Sequence, residues 1–260
     1  MQNNLSFTVI CPTYNSENFI KKNIFSLLNQ KYKNFEVIYS DDGSTDKTLQ
    51  ILRDHEILFI KQKIGIKILA NHHKGPGAAR NKGIKLSNFN WVSFIDSDDQ
   101  WTEDKLERVS KSIKQSKNYN CIVHNEIFKK KNGGEIQFNY KKFFNPHKPI
   151  FSQLFLKNFL STSSMTMKKK LIIKANYFDE ELQNAQDYDL WLKIGDNFNF
   201  HFIDEYLGFY NERNDNITSR PYNNKIVNLL KILRRNKENV SRLFYYYKFL
   251  RILISKEWFK

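Results

Sequence analysis

Three aspartates stand within four residues, at Asp96, Asp98 and Asp99, directly after the apolar, β-rich run from Trp91 to Ile95. Carboxylates packed this closely repel one another unless a cation neutralises them. Hard divalent ions such as Mn²⁺ and Mg²⁺ prefer oxygen ligands, and often combine one or two carboxylates with phosphates. The cluster alone is therefore either a metal site or a solvated turn that caps the following helix.

A second acidic cluster, Asp41-Asp42-Gly43-Ser44, follows another strand-like run, Phe35–Tyr39. One of its carboxylates could accept hydrogen bonds from a nucleobase or a ribose. The alternative is a simple turn closed by an Asx-type hydrogen bond, with Gly43 at positive φ.

A loop of small residues, Gly75-Pro76-Gly77-Ala78-Ala79, precedes Arg80 in a helix pattern that extends to about Leu86. Small residues allow a ligand to approach the backbone, and the N-terminus of a helix attracts anions. Arg80 could therefore pair with a diphosphate.

Asp187 stands at the head of a further helix pattern. Leu190, Trp191 and Ile194 follow it by three, four and seven residues, which places Asp187 on the apolar face of that helix, whereas Asp189 points elsewhere. Such a carboxylate is either a structural cap stabilised by the helix dipole or a general base in a partly dry cleft. The pattern alone leaves both roles open.

Strand and helix signals alternate over the first hundred residues, which is typical of a mainly parallel sheet covered by helices on both faces. Ligands of such sheets bind beyond the carboxyl ends of the strands. We therefore expect both acidic clusters and Arg80 to meet at one edge of the sheet.

The net charge of +15 over 260 residues indicates an anionic partner, which could be nucleic acid, a membrane surface or a phosphorylated substrate. Residues 225–260 carry ten lysines or arginines against two glutamates, interleaved with apolar residues at helical spacing. This basic tail could bind an anionic membrane surface, or it could pack on the domain with a solvated basic face.

Cys11 and Cys121 match no metal-ligand spacing and lie in apolar runs. We expect buried, reduced thiols, which fits a reducing cytoplasm. No signal peptide and no apolar run of membrane-spanning length is visible, so we expect a soluble or peripheral protein.

Five ordered blocks together resemble the family 2 inverting glycosyltransferases of the GT-A fold, over about residues 5–215. These blocks are Val9–Asn15, Asp41–Asp46, Gly77–Ile84, Phe94–Asp99 and Asp187–Leu192. The resemblance implies an α/β fold with a mainly parallel central sheet flanked by helices and a Rossmann-like nucleotide-binding half. We divide the chain accordingly into a GT-A domain, 1–222, with a nucleotide-binding half, 1–100, and an acceptor-binding half, 101–222, followed by a basic amphipathic helical tail, 223–260.

The resemblance also implies roles for individual residues. The nucleotide would be bound by Pro12, Thr13, Tyr14, Asp42, Arg80, Asp96 and Ser97, the divalent metal (Mn²⁺ or Mg²⁺) by Asp96, Asp98 and Asp99, and Asp187 would be the catalytic base. The donor would be a nucleotide-sugar, usually a UDP-sugar, and the acceptor a glycan or lipid-linked saccharide. The expected setting is lipopolysaccharide, capsule or glycoprotein-glycan synthesis, with the enzyme in the cytoplasm, peripheral on the inner face of a bacterial inner membrane.

The chain departs from the family pattern at two places. Gln186 stands where the family often has Glu before the base, and the stretch from Tyr210 to Thr218 lacks a His that often contacts the metal or the diphosphate. Arg213 or Asn214 could serve in place of that His.

Two other functions compete with this interpretation. A nucleic-acid-binding protein would fit the charge, but the bases cluster in the tail and the acidic sheet edge would repel phosphates, so we expect no nucleic-acid partner. A nucleotidyltransferase would usually carry a Gly-rich, basic loop after the first strand, where this chain has Pro12-Thr13-Tyr14-Asn15.

Overall fold

The computed structural model describes residues 5–115, 118–213 and 222–254, with side chains from residue 226 onward in the last segment. The strands are β1 (Phe7–Thr13), β2 (Phe35–Asp41), β3 (Gly65–Ala70), β4 (Trp91–Phe94), β5 (Gln100–Trp101), β6 (Cys121–Lys129), β7 (Glu135–Phe138), β8 (Met165–Lys168) and β9 (Phe200–Asn211). The helices are α1 (Ile20–Leu28), α2 (Thr48–Lys61), α3 (Pro76–Leu86), α4 (Lys105–Gln115), α5 (Ile150–Leu156), α6 (Lys169–Lys174), α7 (Gln186–Ile194), α8 (Tyr222–Arg235) and α9 (Arg242–Ile254).

One sheet joins all the described strands in the order β3-β2-β1-β4-β8-β6-β9-β5, with β7 paired to β6. The four strands β3, β2, β1 and β4 are parallel. Beyond β4 the sheet becomes mixed, because β8 runs antiparallel to both β4 and β6 while β6 and β9 are parallel. The predicted α/β fold is confirmed, and its parallel part is formed by strands within residues 1–100, the range predicted to bind the nucleotide.

The central strands are buried along their whole length, as expected for strands covered on both faces. Alternate residues of β1 enter different cores: Phe7 and Val9 pack with α1 and α2, whereas Ile10 packs with the second cluster on the other face. The sheet is therefore rigidly held where its carboxyl ends carry the acidic residues.

The second core cluster lies under the C-terminal helices. Trp191 of α7 is fully buried there, and Leu229, Ile232 and Leu233 of α8 and Ile252 of α9 pack into the same cluster. The apolar stripe of α8 that the sequence indicates therefore packs on the domain, which is the second of the two alternatives for the tail.

Both cysteines are buried and unpaired, as the sequence predicts. Among the residues that the structure describes, no helix combines the length and the hydropathy that a membrane span requires.

Candidate active site

The carboxyl ends of β1, β2 and β4 bring the two acidic clusters to one edge of the sheet. Thr13 at the end of β1 donates from Oγ1 to Asp41 Oδ1 at the end of β2, at 3.0 Å. The hydroxyls of Ser16 and Ser97 share a hydrogen bond of 2.9 Å, which links the loop after β1 to the acidic turn after β4. The expected convergence of these segments is present in the structure.

The acidic cluster after β2 fixes the conformation of the loops around it. Asp41 accepts hydrogen bonds from the backbone N–H groups of Gly43 and Ser44 at 3.1 and 2.8 Å, and Gly43 has a φ of +79°. Asp42 accepts from the N–H groups of Lys74 and Gly75, both at 2.8 Å. The turn alternative thus describes Asp41, and Asp42 anchors the loop before α3.

Tyr14 provides an exposed aromatic face at this edge. Its ring is 45% exposed and stacks on His73, with ring centroids 4.4 Å apart. The imidazole Nδ1 of His73 lies 2.9 Å from Asp42 Oδ2, so the loop that Asp42 anchors also carries the stacking partner of Tyr14. Pro12 is buried within β1, opposite Ser40 of β2.

Arg80 points from the first turns of α3 to the acidic turn. Its guanidinium NH2 lies 2.5 Å from Asp96 Oδ1, and its Nε has no hydrogen-bond partner among the described residues. Helix α3 can approach this closely because Gly77 has no side chain: a Cβ there would lie 3.2 Å from the carbonyl oxygen of Asp179 and 3.3 Å from Gln186 Cγ. The small residues of the loop therefore serve helix packing and position Arg80.

The acidic turn is held by side chains from distant parts of the chain. Asn23 donates from Nδ2 to the carbonyl oxygens of Asp96 and Asp99, at 3.1 Å each. Ser163 accepts the N–H of Asp96 at 3.0 Å and donates to Asp99 Oδ2 at 2.6 Å. Asn23 and Ser163 are supporting residues that the sequence pattern does not indicate.

The carboxylates of this turn point in different directions. Asp98 pairs with Arg213, whose guanidinium NH2 lies 2.8 Å from Asp98 Oδ2 and whose central carbon stands 3.9 Å above the ring of Phe19. Asp99 is buried against Ser163, and its Oδ1 has no hydrogen-bond partner in the described part of the chain. Asn214, the other candidate to replace the missing His, lies outside the described residues.

The carboxylates of the turn supply oxygen atoms of the kind that a divalent ion prefers. Burial and the charge of Asp96 raise the pKa of Asp98 to about 6, against the opposing effect of Arg213. An oxygen donor set of one or two carboxylates suits Mg²⁺ or Mn²⁺ with phosphate ligands. Over the described ranges, no three His, Cys, Asp or Glu side chains converge on one point. The assignment of all three aspartates as ligands stays a prediction.

Asp187 is the second residue of α7 and is partly buried. Asn158, just beyond α5, donates from Nδ2 to Asp187 Oδ2 at 3.3 Å. Burial raises the pKa of Asp187, the positive charge of Arg80 lowers it and the negative charge of Asp96 raises it, so the three groups sense one another electrostatically. A carboxylate with a raised pKa that lies within electrostatic range of an arginine is suited to remove a proton from a substrate.

The neighbours of Asp187 have structural partners. Gln186 is buried and donates to the carbonyl oxygen of Leu182 at 2.7 Å. Asp189 points away, as expected, and pairs with Lys193 at 2.6 Å and with Arg235 at 3.3 Å. Asp187 is therefore the carboxylate of α7 that remains available to a substrate.

A family profile described as "Glycosyl transferase family 2" matches residues 8–175. An uncharacterized glycosyltransferase, MJ1057 of Methanocaldococcus jannaschii, is 29% identical over 93% of this chain and 83% of its own length. AmsB of Erwinia amylovora, an amylovoran biosynthesis glycosyltransferase, is 31% identical over 76% of this chain and 66% of its own length. WfgD of Escherichia coli, a UDP-Glc:α-D-GlcNAc-diphosphoundecaprenol β-1,3-glucosyltransferase, is 31% identical over 72% of this chain and 68% of its own length.

The fold is similar to that of solved glycosyltransferases. Residues 1–349 of S. aureus TarS in complex with UDP-GlcNAc superpose with a TM-score of 0.71 at 23% identity, over 96% of this chain and 72% of that one. The mannosyltransferase PcManGT of Pyrobaculum calidifontis, in complex with GDP-Man and Mn²⁺, gives a TM-score of 0.68 at 16% identity, over 97% of this chain and 71% of that one. At these identities the likeness supports the fold.

Proposed function

Because this chain belongs to glycosyl transferase family 2, and is therefore a glycosyltransferase, we propose that it moves a sugar from a UDP-sugar to a hydroxyl of a glycan or lipid-linked acceptor, with inversion at the anomeric carbon. The observation that carries this proposal is the meeting of Arg80, Asp96 and Asp187 at one sheet edge, where the three charges affect one another. An anion-binding arginine and a carboxylate of raised pKa are what a displacement from a nucleoside diphosphate requires.

The donor pocket lies between Tyr14 and the acidic turn. We assign the base-binding face to Pro12, Thr13 and Tyr14, since the Tyr14 ring is exposed and flat aromatic faces stack on nucleobases. Asp42 fixes the His73 loop beside this pocket, and we propose it as a contact of the base. A UDP-sugar is favoured because the name of WfgD specifies UDP-Glc and TarS was solved with UDP-GlcNAc.

The diphosphate would lie between the two arginines of the site. Arg80 and Arg213 both reach the acidic turn, on Asp96 and Asp98 respectively, so phosphate oxygens in this cleft would meet two guanidinium groups. Asp96 and Ser97 are proposed as ribose contacts. Mn²⁺ or Mg²⁺ held by Asp96 and Asp98, with Asp99 as a third candidate ligand, would neutralise charge on the departing UDP.

Asp187 is proposed as the general base. Its carboxylate takes the proton of the acceptor hydroxyl, and that oxygen attacks the anomeric carbon from the face opposite the diphosphate. The new carbon–oxygen bond forms as the bond to the UDP oxygen breaks, so an α-linked donor gives a β-linked product. Asn158 orients the carboxylate through its hydrogen bond to Oδ2.

The second half of the chain is proposed to bind the acceptor, because Asp187 and Asn158 both come from the range 101–222. The range 223–260 is proposed to form a separate basic tail. Bacterial surface polysaccharide is the favoured product, since AmsB is named for amylovoran biosynthesis and the name of WfgD specifies a diphosphoundecaprenol-linked acceptor. A lipid-linked acceptor fits an enzyme that works at the cytoplasmic face of a membrane.

Calorimetric titration of UDP, GDP and their common sugar conjugates, with and without Mn²⁺, tests this proposal. We expect metal-dependent binding of UDP and of one UDP-sugar, with little binding of GDP. Preference for GDP conjugates would contradict the donor assignment. Equal binding of UDP with Mn²⁺ and with a chelator would contradict a role of the metal ion in donor binding. The product formed from the UDP-sugar that binds then reports the anomeric configuration.

A further inference from the structure

Helix α9 presents an apolar stripe to solvent. Six of the fifteen large apolar side chains that are exposed in the described residues lie on this helix. Leu243 is 83% exposed, and Tyr246, Tyr247, Leu250, Leu253 and Ile254 follow it by three, four, seven, ten and eleven residues. These spacings place all six side chains on one face of the helix. We call this face the α9 stripe.

The opposite face of α9 is packed on the domain. Ile252 is buried in the second core cluster, the ring of Phe244 stacks on Phe155 of α5, and Lys248 is 1% exposed. Helix α8 buries its own apolar stripe in the same cluster. Of the two described tail helices, α9 therefore offers the larger apolar surface to an outside partner.

Positive charge borders the α9 stripe. Arg242 and Arg251 lie on its two flanks and are exposed, and the range 225–260 has an excess of eight positive charges. An exposed stripe of leucine, isoleucine and tyrosine with arginines at its borders is the pattern of a helix that lies in the interface of an anionic bilayer. Tyrosine suits this position because its ring is apolar and its hydroxyl reaches water.

The stripe also has a fixed relation to the candidate base. Lys248 on the packed face donates from Nζ to the carbonyl oxygen of Leu156 at 2.9 Å and lies 5.5 Å from the ring centroid of Tyr188. Leu156 and Tyr188 are close in sequence to Asn158 and Asp187, the hydrogen-bonded pair that contains the proposed general base. A helix is about 10 Å in diameter, so Leu156 and Tyr188 lie roughly one helix thickness behind the stripe, and each is followed or preceded within two residues by a residue of the candidate site.

We propose that the α9 stripe docks on an anionic lipid bilayer and thereby holds the Asp187 side of the active site close to the membrane surface. The second half of this inference rests on the proposed function, because it assumes an acceptor presented at the membrane. The first half concerns binding alone and can be tested without any sugar.

Sedimentation with vesicles tests the docking. The full chain should bind vesicles of equal phosphatidylglycerol and phosphatidylcholine, more weakly at high salt, and bind poorly to phosphatidylcholine alone. Leu250→Glu should weaken binding about tenfold or more, because it removes an apolar contact and places a negative charge against anionic lipid. Ile60→Glu on α2 is the matched control, since Ile60 is 55% exposed and Leu250 is 53% exposed.

Equal vesicle binding by Leu250→Glu and Ile60→Glu would overturn the docking proposal. Analytical ultracentrifugation of the same proteins tests whether a second copy of the chain covers the stripe instead. The docking proposal would also be overturned if the wild type formed a dimer that Leu250→Glu dissociates and did not bind vesicles. Hydrolysis of UDP-sugars in these samples reports the proposed function separately. Its absence from every protein, with the vesicle difference intact, would count against the donor assignment and not against docking.

A fluorophore tests the orientation. Lys157→Cys places a label next to Asn158, and Lys61→Cys places one at the end of α2; both lysines are exposed, and the native Cys11 and Cys121 are buried. A quencher attached to lipid headgroups should quench the label at position 157 more strongly than the label at 61, and Leu250→Glu should remove the difference. Equal quenching at both positions would overturn the second half of the proposal.

Discussion

The hydroxyl of Ser163 lies 2.6 Å from Asp99 Oδ2 and also accepts the backbone N–H of Asp96 at 3.0 Å. One side chain from the loop before β8 thus ties together both ends of the acidic turn after β4. Asp99 is 2% exposed, and burial together with the charges of Asp98 and Asp96 raises its pKa. A buried carboxyl group of this kind depends strongly on the hydrogen bonds that remain to it.

Ser163→Ala should therefore destabilise the protein by about 1–3 kcal/mol, because a buried carboxyl group loses its donor. It should also raise the KM for the donor by loosening the turn. Chemical denaturation and steady-state kinetics measure the two effects. Ser112→Ala on α4, which removes a buried serine hydrogen-bonded to the carbonyl oxygen of Arg108, is the control and should leave the donor KM unchanged. An unchanged donor KM in Ser163→Ala would separate Ser163 from donor binding.

Asp187→Asn should lower the transfer rate by about a thousandfold, in the range expected for loss of a general base. UDP affinity should stay within a few-fold of the wild type, because the amide keeps the shape of the side chain. Transfer assays and UDP calorimetry provide the two readouts. Asp189→Asn is the matched variant on the same helix, and it should reduce stability, through lost pairing with Lys193 and Arg235, rather than catalysis. Full activity in Asp187→Asn would show that another group is the base.

The pH profile of transfer should follow the ionisation of Asp187. Burial raises the pKa of this group, so kcat/KM should fall as pH decreases through a value above the ordinary range of an aspartate. The hydrogen bond from Asn158 opposes that shift. Asn158→Leu should therefore move the acidic limb of the profile to higher pH, whereas a purely structural role for Asn158 would lower the rate without moving the limb.

Asp98→Ala should weaken UDP binding in the presence of Mn²⁺ and leave binding in a chelator much less affected. The reason is that removal of this carboxylate abolishes a proposed metal ligand while it frees Arg213 from its ion pair. Calorimetry with and without Mn²⁺ measures the difference. Glu103→Ala, which removes an exposed carboxylate paired with Lys31, is the control. If Mn²⁺ strengthens UDP binding to Asp98→Ala as much as to the wild type, the ion is held elsewhere.

The strands of the first hundred residues could be predicted from the sequence because they carry unbroken apolar runs. β1, β2 and β4 are covered on both faces, and each leads directly into residues of the site, so local pattern and function coincide. The strands of the second half of the chain were harder to predict from the sequence. β8 has four residues and follows a short 3₁₀ turn, and the pairing of β9 with β6 slips at the bulge near Asn125, so neither strand has a strong local signal.

The supporting residues could not be predicted for a related reason. Ser163 meets Asp99 across 64 positions of sequence, and Asn23 meets Asp96 across 73, so their roles depend on tertiary packing. His73 had a weak signal, since it lies two residues before Gly75, the first residue of the glycine loop of α3. The tail was ambiguous because both of its helices combine apolar and basic residues, and the fold decides which apolar face is covered.

Lys248 should make the attachment of α9 to the domain sensitive to pH. Burial and, to a smaller extent, the charge of Arg251 lower its pKa to about 6, whereas an unfolded lysine titrates near 10.4. Between these two values the unfolded chain holds one more proton than the folded chain, so the free energy of unfolding should rise with pH. The slope for one proton is about 1.4 kcal/mol per pH unit, and it should vanish below pH ~6, where both states are protonated.

Lys248→Met should remove this part of the pH dependence, because methionine fills a similar volume without a titrating group. Urea denaturation at several pH values between about 6.5 and 9, inside the range between the two pKa values, gives the free energy of unfolding of both proteins. The slopes of this free energy against pH are then compared. Lys174→Met on α6 removes an exposed lysine and should leave the slope as it is in the wild type. Parallel slopes for the wild type and Lys248→Met would mean that Lys248 stays protonated in the folded chain, held by the carbonyl oxygen of Leu156 and the ring of Tyr188. α9 would then be fixed to the domain by a buried charge, and its attachment would not vary with pH over this range.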